Sequence, residues 1–145
     1  MNASVNIING PNLNMLGNRE PHIYGVETLS DIETNCQNLA QELNLNINFV
    51  QSNEEGIIVE LIQQSAEKYD AIIINAGAYT HTSIAIHDAL KASGTIIFEV
   101  HLSNIFRREK FRQVSYISEL AEGVITGFGS QGYEFALRAI AKHLS

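Results

Sequence analysis

Residues 71–75 read Ala-Ile-Ile-Ile-Asn, and this stretch decides the fold. Four apolar residues in a row, with no polar alternation, describe a strand buried on both faces, as in a parallel sheet covered by helices. The flanking segments fit that frame. Upstream, 52–68 reads as a helix, with Ser52 and Glu55 spaced as a capping box. Downstream, Thr82 or Ser83 opens a helix that runs to Ser93.

Working outward, 4–9 (Ser-Val-Asn-Ile-Ile-Asn) reads as a first strand closed by Gly10-Pro11. Further strands are read at 45–50, 95–100 and 123–127. Leu29, Ile32, Cys36, Leu39, Ala40 and Leu43 recur at helical spacing. Ser30 with Glu33, or Thr28 with Asp31, is placed to cap that helix, and a last helix is read over 131–144. Strands alternating with helices imply βαβ units and right-handed crossovers. The expected fold is α/β: a three-layer, flavodoxin-like domain with a five-stranded parallel sheet in the order 2-1-3-4-5. The length of 145 residues fits a single domain over 1–145.

Composition excludes several function classes. The net charge of −7 argues against a general binder of nucleic acid or of anionic membrane. Cys36 has no second cysteine to pair with, which suits a reducing cytosol. Residues 1–4 show no basic n-region leading into an apolar segment, so no secretory signal is read there. No apolar run approaches the roughly 18 residues that span a bilayer. A cytoplasmic protein with no membrane or nucleic-acid partner is the expectation.

In open parallel sheets, ligands bind beyond the carboxyl ends of the strands, at the switch in strand order. Here those ends are Asn9-Gly10-Pro11-Asn12, Asn75-Ala76-Gly77 and Glu99-Val100-His101-Leu102-Ser103-Asn104. Apolar strands running into Asn, Glu and His point to a site. Turn formation is the plainer alternative for Asn9, Asn12 and Asn75. Arg107, Arg108, Lys110 and Arg112 are four of the nine Lys and Arg. Within an acidic chain this cluster points to capture of a small anion, and arginine suits a carboxylate in bidentate geometry. A solvated face is the alternative.

The stretch 10–27 is long for a connection without regular structure, and such loops are commonly functional lids. Gly17 and Gly25 bracket a segment carrying Arg19 and Tyr24, so a mobile lid is expected over about 18–25. Free tyrosine has a pKa near 10, so about one in 10³ is ionised at pH 7, and forming tyrosinate there costs about 4 kcal/mol. Guanidinium groups in a dry pocket lower that cost. A lid bearing Arg19 and Tyr24, closed on Arg108 and Arg112, would assemble a phenolate able to remove a proton alpha to a carbonyl. Tyr24 packed on the core, with Arg19 a surface charge, is the alternative.

At this point the motifs resemble a known family. Asn-Gly-Pro-Asn-Leu-Asn-Met-Leu-Gly-Asn-Arg-Glu-Pro-His-Ile-Tyr-Gly over 9–25 is similar to the opening signature of the type II 3-dehydroquinate dehydratases. Ile-Asn-Ala-Gly-Ala-Tyr-Thr-His-Thr-Ser (74–83), Glu-Val-His-Leu-Ser-Asn (99–104) and Arg-Glu-Lys-Phe-Arg (108–112) continue the resemblance. Lys110 departs from it, since family members often carry an acid there.

The resemblance implies a flavodoxin-like fold and a homo-dodecamer built as a tetramer of trimers. It implies a hydro-lyase that reversibly converts 3-dehydroquinate to 3-dehydroshikimate, in the shikimate pathway or in quinate catabolism, with no metal or organic cofactor. Tyr24 would be the base, with Arg19 and Arg108 stabilising its phenolate. Asn12 would support the enolate through an ordered water. His101 would be the general acid, with Glu99 orienting or charge-balancing it. Asn75, His81 and Arg112 would hold ring hydroxyls, and Leu102 and Ser103 the carboxylate. Asp88 would reach a neighbouring subunit's site. His87 and His143 are read as ordinary surface or helix residues.

Other readings fit less well. A flavodoxin would need a Ser/Thr/Gly-rich phosphate loop where 9–17 is Asn-rich and holds Pro11. A receiver domain would need acidic strand ends where Asn9 and Asn75 stand. A Schiff-base dehydratase would need a strand-end lysine, and Lys68, Lys91, Lys110 and Lys142 end no strand. His22, His81, His87, His101 and His143 show no metal-motif spacing. A non-catalytic module, anion-sensing or RNA-contacting, could use 107–112; the net charge of −7 and the lack of interleaved aromatics beyond Phe106 and Phe111 weigh against RNA.

Overall fold

Ala71, Ile72, Ile73 and Ile74 are all fully buried, because their strand lies in the middle of a sheet covered on both faces. The structure, a computed structural model, describes residues 2–18, 20, 22 and 26–145. Strands β1 (Ala3–Asn9), β2 (Leu45–Gln51), β3 (Ala71–Asn75), β4 (Ile96–His101) and β5 (Gly123–Thr126) form one sheet in the order β2-β1-β3-β4-β5. Every neighbouring pair is parallel. This is the α/β topology expected from the sequence. Helices α1 (Leu29–Leu43), α2 (Glu55–Lys68), α3 (Ile84–Ser93) and α4 (Gln131–His143) make the connections and complete the layers. Among the described residues, no helix is long and apolar enough to cross a membrane.

The period of two along each strand sorts side chains to opposite faces. Val5, Ile7, Ile73, Phe98 and Val100 pack with α1 and α4, around Cys36, Tyr133 and Leu137. Ile8, Ile72, Ile74 and Ile97 pack with α2 and α3, around Ile58, Ile62 and Ile86. Asn6 falls on this second face, where burial alone would penalise its amide. Its Nδ2 donates to Ser65 Oγ on α2 at 2.9 Å, and its Oδ1 accepts from Asn48 at 3.0 Å.

Of the two caps considered for α1, Thr28 and Asp31 form the reciprocal box, with bonds of 3.1 and 3.0 Å. Ser83 caps α3 by accepting the Ile86 N–H at 3.0 Å. The box expected of Ser52 and Glu55 does not form. Ser52 Oγ instead accepts the Glu54 N–H at 3.0 Å, closing a turn just ahead of α2, because the helix begins at Glu55 with Glu54 in the cap position and leaves Ser52 two residues short of it. The segment after β1 is not wholly irregular either. A 3-10 turn over Leu13–Met15 buries Leu13, and Leu16 follows it into the core. β4 runs one residue past the expected end at Val100, so that His101 still pairs with Thr126 of β5.

The chain crosses from β1 to the loops at Gly10. Its N–H donates to Asn75 O at 2.7 Å, and a Cβ there would lie 2.3 Å from Ala76 O. Only glycine lets the ends of β1 and β3 approach this closely.

Candidate active site

The carboxyl ends of β1, β3 and β4 open into one cleft of about 160 Å³. That is well below the ~300–1,000 Å³ of pockets for drug-sized ligands and suits a single small ring. Asn12, Asn75, His81, His101, Leu102, Ser103, Arg108 and Arg112 all line it. Eight of the expected site residues therefore meet in one place, although the chain scatters them over a hundred positions. Arg19 and Tyr24, and most of the lid expected at 18–25, lie outside the described residues. Asp88 is exposed on α3 and does not line this cleft.

Strand geometry explains the centre of the site. Glu99 and His101 are two residues apart on β4, so both project to the same face. The fully buried Glu99 carboxylate accepts a hydrogen bond at Oε2 from His101 Nε2. Ser115 Oγ also donates to Oε2, at 2.8 Å, and Ser118 Oγ donates to Oε1. Burial by itself pushes the Glu99 carboxyl up. The hydrogen bonds and charge of His101, with the two serine donors, outweigh burial and hold it below the ordinary carboxylate value. With Nε2 engaged, Nδ1 is the nitrogen of His101 left to serve the cleft.

His81 stacks on His101, with ring centroids 6.3 Å apart and planes 22° from parallel. Its Nδ1 lies 2.7 Å from Val114 O. A carbonyl only accepts, so Nδ1 carries the proton and Nε2 of the neutral ring is an acceptor. Burial is the main reason that His81 titrates below ordinary histidine; His101 and Arg112 reinforce it, against the Val114 bond and Glu99. His81 is thus a neutral ring at pH 7.

Asn75 ends β3 with its amide fixed. Its Oδ1 accepts the Gly77 N–H at 3.3 Å, and its Nδ2 donates to the Tyr133 hydroxyl at 3.0 Å. Among the described residues the second N–H of Asn75 meets no partner, which suits it to a ligand. Asn12 sits at φ 69 in the left-handed region that asparagine tolerates, and its N–H donates to Asn53 Oδ1 at 3.0 Å. It is a turn former and a cleft residue at once.

The basic cluster forms the rim. Arg108 Nη1 donates to Ser103 Oγ at 3.5 Å, and Arg112 Nε donates to Glu109 Oε2 at 3.3 Å. Both arginines also border a wider outer opening with Arg107 and His22. Glu109 lies against the two arginines, 3.8 Å from Arg108 Nε, so the rim is cationic but partly compensated. Among the described residues, no three His, Cys, Asp or Glu side chains are grouped to hold a metal ion.

Sequence reasoning missed Tyr133, Ser115 and Ser118. Tyr133 shares the helical spacing of Ala136, Leu137 and Ile140, which reads only as core, and serines in a polar loop carry no spacing signal. His87, read as an ordinary helix residue, meets Tyr116 O with its Nδ1 at 2.6 Å.

Sheet order and cleft together define a doubly wound α/β protein with its ligand site at the strand-order switch. Known proteins narrow that class. The family model for dehydroquinase class II matches residues 3–141. The 3-dehydroquinate dehydratase of Brucella canis is 54% identical over 141 residues, covering 97% of this chain and 90% of that protein. The type II dehydroquinase structure from Propionibacterium acnes superposes with a TM-score of 0.94 at 39% identity, covering 98% of each chain. A 3-dehydroquinate dehydratase-like protein from Bifidobacterium longum is more distant, at 28% identity and a TM-score of 0.73 over 98% of each chain. The chain belongs to the class II dehydroquinase family.

Proposed function

We propose that this chain is a hydro-lyase that reversibly dehydrates 3-dehydroquinate to 3-dehydroshikimate, the third step of the shikimate pathway. One observation carries the reading beyond family membership. A His101–Glu99 pair stands at the floor of a small cleft whose walls are neutral polar donors and acceptors and whose rim is arginine. That arrangement suits elimination from a polyhydroxylated carboxylic acid.

In the proposed mechanism Tyr24, as phenolate stabilised by Arg19 and Arg108, takes the proton alpha to the ketone. The electron pair moves onto the carbonyl oxygen, and Asn12 supports the enolate through an ordered water. The enolate then reforms the ketone and expels the beta hydroxyl. His101 gives that hydroxyl its proton, so that it leaves as water. Glu99 holds His101 in place and balances its charge while the ring carries the second proton. Asn75, His81 and Arg112 hold the ring hydroxyls. The Leu102–Ser103 backbone and hydroxyl hold the carboxylate. The chemistry needs only these side chains, without a metal or organic cofactor.

Residues 18–25 act as a lid on the single domain 1–145 and bring Tyr24 and Arg19 to the cleft. The protein works in the cytoplasm as a dodecamer, a tetramer of trimers, in which Asp88 completes the site of a neighbouring subunit. Its exposed position on α3, away from its own cleft, supports that role.

The test is ultraviolet absorbance after protein is mixed with 3-dehydroquinate, because the product is a conjugated enone and the substrate is not. A rise that survives chelator and borohydride supports the reading. No rise, or inactivation by borohydride only with substrate present, contradicts it, since the latter marks a Schiff base.

A further inference from the structure

The segment after the basic cluster passes over Glu99 and is tied down at every step. Val114 O meets His81 Nδ1, and Tyr116 O meets His87 Nδ1. The Tyr116 N–H donates to Thr80 O at 2.9 Å. Between those anchors Ser115 turns inward, and Ser118 follows in a 3-10 turn over Ser118–Leu120.

The proton directions on Ser115 are determined by its partners. Its hydroxyl oxygen accepts two backbone N–H groups, from Ile117 at 3.0 Å and from Ser118 at 3.1 Å. A hydroxyl has two lone pairs and one proton. Both lone pairs are filled, so the proton goes to Glu99 Oε2. Toward Glu99, therefore, Ser115 acts only as a donor and has no lone pair left to accept a hydrogen bond from a protonated Glu99. The same Oε2 accepts the hydrogen bond from His101 Nε2. Protonating Glu99 on that oxygen would set donor against donor, inside a site with 0% exposure.

We propose that Ser115 and Ser118 are positioning residues that keep Glu99 a carboxylate facing His101, and thereby fix the ring that serves the cleft. The proposal rests on the reading of His101 as general acid. It makes the segment 114–118 a strap that joins two parts of the site, with His81 on one edge and Glu99 beneath. Among the described residues, other ionisable groups on or beside the strap are Tyr116, His87, Glu119, 3.7 Å from His87 Nδ1, and Arg112 ahead of its start. From the sheet, the residues registered beside Glu99 are the apolar Ile74 and Val124.

Ser118→Ala is the clean variant, because the Ser118 hydroxyl's bond is to Glu99 Oε1. Two readouts are taken: the Glu99 carboxyl ¹³C titration in ligand-free protein, assigned with Glu99→Gln, and the pH dependence of kcat. A hydrogen bond to a charged group is worth about one pKa unit or more. The Glu99 midpoint should therefore rise by about one unit. The acid limb of kcat should move up with it, with KM within about twofold, and Ser118→Thr should restore both. Should Ser118→Ala fail to fold, Ser118→Cys, a weaker donor of similar size, should show a smaller rise in the same direction. An unmoved midpoint and acid limb in a folded variant would overturn the proposal. A raised midpoint in a protein whose parent does not turn over 3-dehydroquinate would support the serine–carboxylate assignment, and only the reading of the reaction would fail.

Discussion

Asn9 and Tyr133 lie 124 residues apart in the chain and share a buried hydrogen bond of 2.6 Å, given by the tyrosine hydroxyl to the amide oxygen. The same hydroxyl accepts from Asn75 Nδ2, and Asn9 Nδ2 donates to Val50 O at 3.0 Å. Helix α4 thus links the ends of β1 and β3, and it sets the way the Asn75 amide presents itself to the cleft. Burial pushes the Tyr133 hydroxyl's pKa well above that of ordinary tyrosine, so it stays protonated and able to donate.

Tyr133→Phe should therefore weaken both stability and binding. It leaves Asn9 Oδ1 and one Asn75 N–H without partners in a dry site, a loss of about 1–3 kcal/mol. Urea unfolding should show that loss, and KM for 3-dehydroquinate should rise more than kcat falls. Unchanged stability would show that the hydroxyl contributes nothing to holding the strand ends.

Cys36 should be inert in the folded protein. It is 1% exposed, and burial, reinforced by Glu134, Glu27 and Glu33, raises its thiol to about 12. The thiolate is the reactive form, so a thiol reagent at pH 8 should react with almost none of the native protein. One equivalent should react after unfolding in denaturant. Rapid labelling of native protein would contradict the packing of α1 on the sheet.

Glu99 should leave a signature in acid stability. Its carboxyl is held below the 4.5 of an ordinary glutamate, so the unfolded chain binds a proton there at a higher pH than the native one does. The resulting stability is present above that value and is lost as pH falls through the lower, native one. Glu99→Gln has no such proton to take up. Its unfolding free energy should fall less steeply below about pH 4.5 than the parent's, and its turnover should be lower at neutral pH. Parallel stability curves would remove the ionised Glu99 from the account.

Most of the fold was legible because it follows from local periodicity. The apolar run 71–74, and helical spacing such as that of Leu29, Ile32 and Cys36, each report an element directly. Parallel connectivity leaves the strand order open; 2-1-3-4-5 matches the flavodoxin-like pattern, which the motif resemblance also implies, and the structure shows it. Finer features depended on geometry that spacing does not encode. Ser52 carried the pattern of a capping box yet closed a turn, since both uses satisfy the same hydroxyl. His101 was placed beyond the fourth strand, although its pairing with Thr126 keeps it on the face of Glu99. The contact between Asn9 and Tyr133 spans almost the whole chain, and a tyrosine among helical core positions gives no hint of what its hydroxyl meets. The roles of the cleft residues came from motif resemblance; their convergence on one cleft came from the structure.

The account turns on a tyrosinate base acting opposite His101. The most direct test is the rate of enone appearance from 3-dehydroquinate with Tyr24→Phe, in protein shown to be folded. Removing a general base commonly lowers turnover by about 10²–10⁴-fold. The account predicts a kcat loss in at least that range with the substrate still bound. A Tyr24→Phe rate within a few-fold of the parent would contradict it.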